Sequence, residues 1–298
     1  DGRIASFRAQ VISPPHSTRP GGGDQPNLRS AAFLPDAFAM GPGNDAPQPQ
    51  GGADRNAIPP YAIPSCHVTR TRPTEVPYRP SAMRGLGSFT NIIALETLVD
   101  QCAEAAGQDP LAYRIAHLDD PRAHAVIHRA AAMAGLPSAG IADLAEGEGL
   151  ALAYSRYKNM SGYLACVARV EIADEVRVTD LWAAADVGEV INPDGAINQI
   201  EGGMIQAISW TLKEEVTFAG GQNLVARWED YPILPFSEVP RMAVELLDQP
   251  EAPVLGAGEI SAGPAGAAVV GAVRRALGVT PTSLPLNRHA LISLLSAG

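Results

Sequence analysis

The sequence predicts an α+β fold in which mixed sheets carry flanking helices. Three observations lead there. Helical and strand-like periodicities fall in separate blocks rather than alternating as βαβ units. The main strand block closes through a short connection at Ala173-Asp174-Glu175, as expected of antiparallel neighbours. The chain also holds 29 Gly and 26 Pro among 298 residues, about 18% against a usual ~12%, so turns and irregular connections are frequent. A helical bundle or coiled coil is disfavoured. With 46% hydrophobic residues the chain can bury a real core, which excludes disorder and a small disulfide scaffold.

Ile4 to Ile12 carries Val and Ile without breakers and reads as a strand. Ser13 to Pro80 then holds 14 of the 26 prolines together with Gly21-Gly22-Gly23 and Gly51-Gly52. Residues 1–80 are therefore expected to form a Pro/Gly-rich extended arm with a second strand near Ala62 to Thr71, and residues 81–298 the α+β body. In Ser88 to Ala106 the apolar residues recur at three-to-four spacing, predicting a helix with Ser88 as N-cap and Gly107 as C-cap. Asp109-Pro110 starts a second helix to Leu118, and Pro121 to Gly135 forms a third. Strands follow at Leu150 to Tyr157, Tyr163 to Ile172 and Val176 to Ala185. A long helix covers Asp194 to Leu212, and its small residues imply close approach to other backbone. Strands near Glu214 to Phe218 and Met242 to Leu247, a glycine-rich loop at Gly256 to Gly263, a helix to Leu277 and a last helix from Leu286 to Leu295 complete the chain.

Charge and cysteine usage narrow the function. The net charge is -10, from 32 acidic and 22 basic side chains with no cationic run, which disfavours a nucleic-acid partner. The longest charge-free stretch near the end, Ile260 to Val273, is too short and too broken by Gly and Pro to span a bilayer. Cys66, Cys102 and Cys166 are too widely spaced for a metal knuckle and odd in number, so the compartment, cytoplasmic or periplasmic, stays open. The chain opens on Asp1 without a basic stretch leading into an apolar core, so no signal peptide is expected there and a longer parent is.

Candidate chemistry is sparse. His124 and His128 stand four apart on a helix, but the spacing lacks the Glu of HExxH and suits packing better than metal. Cys102 and Cys166 lie among apolar neighbours, where thiols pack rather than react. No serine sits in a GxSxG elbow. Gly256-Ala257-Gly258-Glu259-Ile260-Ser261-Ala262-Gly263 misses the GxGxxG spacing and carries a carboxylate where a pyrophosphate needs only N–H groups. Glu259 is either an exposed turn residue favoured by the following helix dipole or a charge with a task.

Gly258-Glu259, then Pro264-Ala265 and the small-residue helix Ala267 to Val273, resembles the Gly-Glu signature of the molybdenum-binding subunits of the xanthine dehydrogenase family. Three further blocks fall in the family's order. Met83-Arg84-Gly85-Leu86-Gly87 is similar to its arginine-glycine loop, and Gly107, Asp109-Pro110 and Arg114 to its Gly-x-Asp-Pro-x-x-x-Arg run. Asp186-Val187-Gly188, Asn192-Pro193 and Gln199-Ile200-Glu201-Gly202-Gly203 match a third set. The spacing is nearest the isoquinoline 1-oxidoreductase branch with nicotinate and aldehyde dehydrogenases.

The resemblance implies the C-terminal half of a molybdenum-cofactor-binding subunit, holding molybdopterin either plain or as the cytosine dinucleotide. It implies Glu259 as general base, with Met83, Arg84, Gly85, Gln199 and Gly258 against the cofactor and no protein ligand to the metal. For Arg84 a structural ion pair beneath the loop, and for Gln199 a helix-surface role, remain open. Glu201 supports the loop, and Tyr154, Tyr157 and Trp210 are weaker candidates for a pocket edge. No Gly-Gln-Gly occurs here, so an upstream half carrying that loop is expected as partner. A 2Fe-2S subunit and a cytochrome or other electron acceptor complete the implied assembly. The implied reaction is hydroxylation of an N-heteroaromatic compound or aldehyde with water-derived oxygen. The alternatives are a non-catalytic assembly fragment and, less favoured, a hydrolase using His124 and His128.

Overall fold

The computed structural model describes residues 2–16, 30, 34–36, 43, 45–73, 76, 80–136 and 144–296. The Gly21-Gly22-Gly23 run of the expected arm lies outside them. β1 (Ser6–Ile12) and β2 (Ser65–Thr71) pair in parallel as a two-stranded sheet. Between them lies a segment, residues 45–61, that is exposed at 46–50 and largely buried from Gly51 to Tyr61, pinned where Asn91 Nδ2 donates to the carbonyls of Ala53 and Arg55, both at 2.9 Å.

α1 (Ser88–Ala105) begins one residue differently from the expected cap. Gly87 holds the N-cap position without a side-chain bond, and Ser88 lies inside the helix, donating from Oγ to Gly85 O at 2.7 Å. The reason is the tight turn through residues 83–87, which already places Ser88 N on Gly85 O and Gly87 N on Gly52 O. At the other end Ala106 caps and Gly107 follows with φ +63°. α2 (Pro110–Ala116) and α3 (Pro121–Met133) start as their sequences require. Asp109 accepts from Ala112 N at 2.9 Å and Asp120 from Arg122 N at 3.0 Å, each followed by a proline at the first turn.

β3 (Glu148–Arg156), β4 (Tyr163–Ile172) and β5 (Val176–Asp186) form an antiparallel meander. After α4 (Pro193–Leu212) and a β6–β7 pairing of Phe218–Ala219 with Gln222–Asn223, β8 (Arg241–Leu246) joins β5 in parallel. The strand expected from Glu214 to Phe218 thus shrinks to a hairpin stub. The stretch from Leu224 to Phe236 is mostly exposed although rich in apolar residues, with Trp228 94% and Phe236 99% open, and Leu234 packs against the first core.

Both faces of the main sheet are covered, which is why its strands read as continuous apolar runs. Ala151 and Ala153 of β3 face one core with Leu164, Cys166 and Leu181. Leu150, Leu152 and Tyr154 face the other, with Phe7, Tyr61 and residues of α3. α5 (Ala262–Leu277) lies on the first face against β3 and β4, with α1 and α4 beside it. Its first twelve residues are buried. Small residues permit that depth: a Cβ on Gly149 would stand 1.9 Å from Ala272 O. α6 (Arg288–Ser296) starts two residues later than expected. No helix among the described residues is long and apolar enough to cross a membrane.

Candidate active site around Glu259

The loop before α5 is tied down on both sides of Glu259. Ser261, fully buried, donates from Oγ to Ile200 O at 3.0 Å, joining the loop to α4. Ile260 packs in the core at 2% exposure. Gly258 O on the other side accepts from Arg84 Nε, and Glu259 between these ties keeps its side chain 35% exposed. Gly85 N–H donates to its Oε1 at 3.0 Å, and the Tyr157 hydroxyl donates to Oε2 at 2.7 Å. Arg55 Nη1 lies 3.8 Å from Oε2 and also donates to the Tyr157 oxygen.

Burial alone would raise the Glu259 pKa. The Gly85 N–H and the Tyr157 hydroxyl, then the charges of Arg55 and Lys158, outweigh it and hold the carboxyl below its ordinary value. Glu259 is therefore an ionised carboxylate at neutral pH. Burial, then the bond to that carboxylate, pushes the Tyr157 phenol well up, so it remains a donor.

Arg84 clamps the scaffold beneath. Its Nε donates to Gly258 O at 2.6 Å, Nη2 to Gln199 O at 2.6 Å and Oε1 at 3.3 Å, and Nη1 to Gln206 Oε1 at 3.0 Å. Gly203 makes this possible. A Cβ on Gly203 would lie 2.2 Å from Ser261 Oγ and 3.2 Å from Arg84 Cζ. Gly85 has φ +84°, which turns its N–H toward Glu259 in a conformation that L side chains avoid.

The fold thus gathers Arg84, Gly85, Gln199 and Gly258 around Glu259, with Met83 exposed at the start of the same turn. Tyr154 is sequestered in the second core and Trp210 packs edge-on against Phe89, so neither edges the site. Asp186 pairs with Arg122 beneath the sheet, and Asn192 caps α4 by accepting from Gly195 N at 2.9 Å. His124 Nε2 bonds Leu118 O at 2.8 Å. No group of three or more His, Cys, Asp or Glu among the described residues could hold a metal.

Sequence reasoning missed Arg55 altogether and took Tyr157 for a pocket edge. Arg55 sits in a Pro/Gly-rich stretch without periodicity, and only the fold closes the gap of 102 residues to Tyr157. The one local signal was Gly51-Gly52, since Gly51 O receives the Arg55 guanidinium, Nη2 donating to it at 3.0 Å.

The molybdopterin cofactor-binding domain family matches residues 93–240. Over 256 residues the chain is 35% identical to a nicotinate dehydrogenase subunit of Pseudomonas putida, covering 81% of this chain and 22% of that protein. The chain belongs to the molybdopterin-binding subunits of the xanthine dehydrogenase family. It is also 36% identical over 235 residues to the beta chain of isoquinoline 1-oxidoreductase from Brevundimonas diminuta, over 78% of this chain and 29% of that one. This molybdopterin-binding chain therefore spans less than a third of the length of those curated relatives. Quinoline 2-oxidoreductase from Pseudomonas putida 86 shares the fold with a TM-score of 0.68 at 16% identity, over 82% of this chain and 56% of that structure. The family match covers α4 and Gln199 but neither the Arg84 turn nor Glu259.

The residues present fit a molybdopterin group. The loop is open where a planar ligand would approach: a Cβ on Gly256 meets nothing within 4 Å, and one on Gly258 meets only Gln199 Oε1 at 3.8 Å. Gln199 is exposed beside that opening. Arg55, Arg84 and Lys158 give the surroundings of Glu259 a cationic surplus suited to an anionic cofactor.

Proposed function

We propose that this chain supplies the base and part of the cofactor surface of a molybdenum hydroxylase acting on an N-heteroaromatic compound or an aldehyde. The observation that carries this reading is the ionised, partly exposed Glu259 carboxylate, held at both oxygens beside an open glycine loop. When bound, the molybdenum cofactor supplies the two-electron redox chemistry and the water-derived oxygen placed on the substrate carbon. Glu259 takes up the proton released in that step. Each carboxylate oxygen has a further acceptor site beyond its bond to Gly85 or Tyr157, so the proton can be accepted without dismantling the support. Gly258 and Gln199 border the cofactor and Gly85 allows close backbone approach, while Arg84 holds their two segments together. Met83 lies where the same turn meets solvent.

The names of the relatives support the substrate class, and their designation as subunits supports partner chains. In this reading residues 1–80 form a covering segment and 81–298 the cofactor region. The cofactor is molybdopterin or its cytosine dinucleotide. The remaining sequence of the molybdenum subunit, with its Gly-Gln-Gly loop, completes the site. A 2Fe-2S subunit passes electrons to a cytochrome or other acceptor.

Glu259→Gln in the assembled enzyme keeps the side-chain shape and removes the proton acceptor. Turnover is expected to fall at least about 10³-fold, in the range lost with a general base, at unchanged molybdenum content. Turnover within tenfold of the parent would remove Glu259 as base. Absence of turnover from every assembly that holds the parent chain would favour a non-catalytic module.

A further inference from the structure

Arg55, Tyr157 and Glu259 form one directed hydrogen-bond chain. Guanidinium is donor-only, so the bond from Arg55 Nη1 to the Tyr157 oxygen leaves the phenol hydrogen free to point at Glu259 Oε2, 2.7 Å away. The order of donors suits a carboxylate and not a carboxylic acid. Arg55 is itself fixed, 6% exposed, with Nε donating to Gln50 O at 2.6 Å and Nη2 to Gly51 O.

The segment carrying Arg55 is locked to the turn carrying Tyr157. Asn56 Nδ2 donates to Arg156 O at 2.8 Å, and Lys158 N donates to Asn56 Oδ1 at 3.0 Å. Asn56, Lys158 and Asn159 all hold left-handed backbone, with φ +59°, +58° and +56°. Such conformations are uncommon outside glycine and tend to gather at functional sites. Among the described residues, each charged or titratable group facing the carboxylate is a donor or a cation: Tyr157 and Lys158 from the turn after β3, Arg55 from the 45–61 segment, and Arg84 from the turn before α1.

We propose that Tyr157 and Arg55 are positioning residues for Glu259, the phenol fixing the carboxylate rotamer and its ionised form, the guanidinium fixing the direction of the phenol. This rests on the reading of Glu259 as base. Removing the phenol hydroxyl takes away a bond made to the charged form, so the Glu259 pKa rises and the ionised fraction is lost at higher pH. Tyr157→Phe in the assembled enzyme should move the acid limb of the kcat profile up by about one to two pH units, the size of a lost hydrogen bond to a charge. Arg55→Met should move it the same way by less, and Arg55→Lys should restore part of the shift.

A second readout does not need turnover. Infrared difference titration of the assembled protein with ¹³C-labelled glutamate, the Glu259 band identified by its loss in Glu259→Gln, should show the same upward displacement. An unmoved band and acid limb in Tyr157→Phe would overturn the inference. Should that variant fail to accumulate, Arg55→Met decides on the same terms. Retained turnover in Glu259→Gln with a displaced band in Tyr157→Phe would sink the base and keep the positioning.

Discussion

Arg114 is the largest fully buried side chain among the described residues, 1% exposed, and its surroundings explain how a cation survives there. Nε donates to Glu96 Oε2 at 2.9 Å, Nη1 to Asp100 Oδ1 at 2.7 Å and Nη2 to Glu96 O at 3.3 Å. Tyr61 donates to the other Glu96 oxygen at 2.6 Å, and Tyr154 N donates to Oε2 at 2.9 Å. Burial opposes the charge, but the flanking Asp100 and Glu96 carboxylates hold the Arg114 pKa above its ordinary value. Arg114→Met would strand two buried carboxylates, so we expect about 3–5 kcal/mol of destabilisation, measured by denaturant unfolding. A loss under about 1 kcal/mol would mean the carboxylates find other partners. The Asp-Pro-x-x-x-Arg pattern made Arg114 legible in the sequence as a residue of note. Its task was not, because Tyr61 and Glu96 lie on segments with no local tie to it. The Arg55 guanidinium was illegible for the same reason, while Glu259 stood out because a charge between glycines and a buried helix is locally anomalous.

At the level of elements, the approach of α4 to the loop before α5 decides whether the site can form. Gly202 and Gly203 are adjacent in sequence and differ in what they face. A Cβ on Gly203 would strike Ser261 Oγ at 2.2 Å, whereas one on Gly202 meets only Arg84 Nη1 at 3.7 Å. Gly203→Ala should therefore force α4 and the loop apart, losing about 1–3 kcal/mol as an overpacked core does. The Arg84 clamp would loosen with it. Gly202→Ala should be neutral or gain up to about 1 kcal/mol, since glycine is a poor helix residue. Thermal unfolding of the two variants tests the contrast, and equal shifts would refute the close-packing account. The helix was visible from its periodicity and its small residues announced a close neighbour. Which of the two glycines bears the contact was not visible, because that depends on the rotation of α4 about its axis.

For the whole molecule, the open side of the Glu259 loop supports the proposal that the cofactor site is completed from outside the residues described. The isolated 298-residue chain is expected to retain well under one molybdenum per chain, and stoichiometric metal by elemental analysis would reverse that expectation. Local signals determined most of the elements: Asp-Pro pairs begin α2 and α3, Asn192 caps α4, and apolar runs mark β3 to β5. They also isolated Glu259 and the motif blocks that carry the family resemblance. These features are written in neighbouring residues, through backbone geometry and short-range hydrogen bonding. The tertiary structure alone decided that β8 runs parallel to β5, that Arg84 spans α4 and the Gly258 loop, and that Arg55 reaches Glu259 through Tyr157. Those contacts join segments about sixty to over a hundred and seventy residues apart, and no periodicity in the chain encodes them.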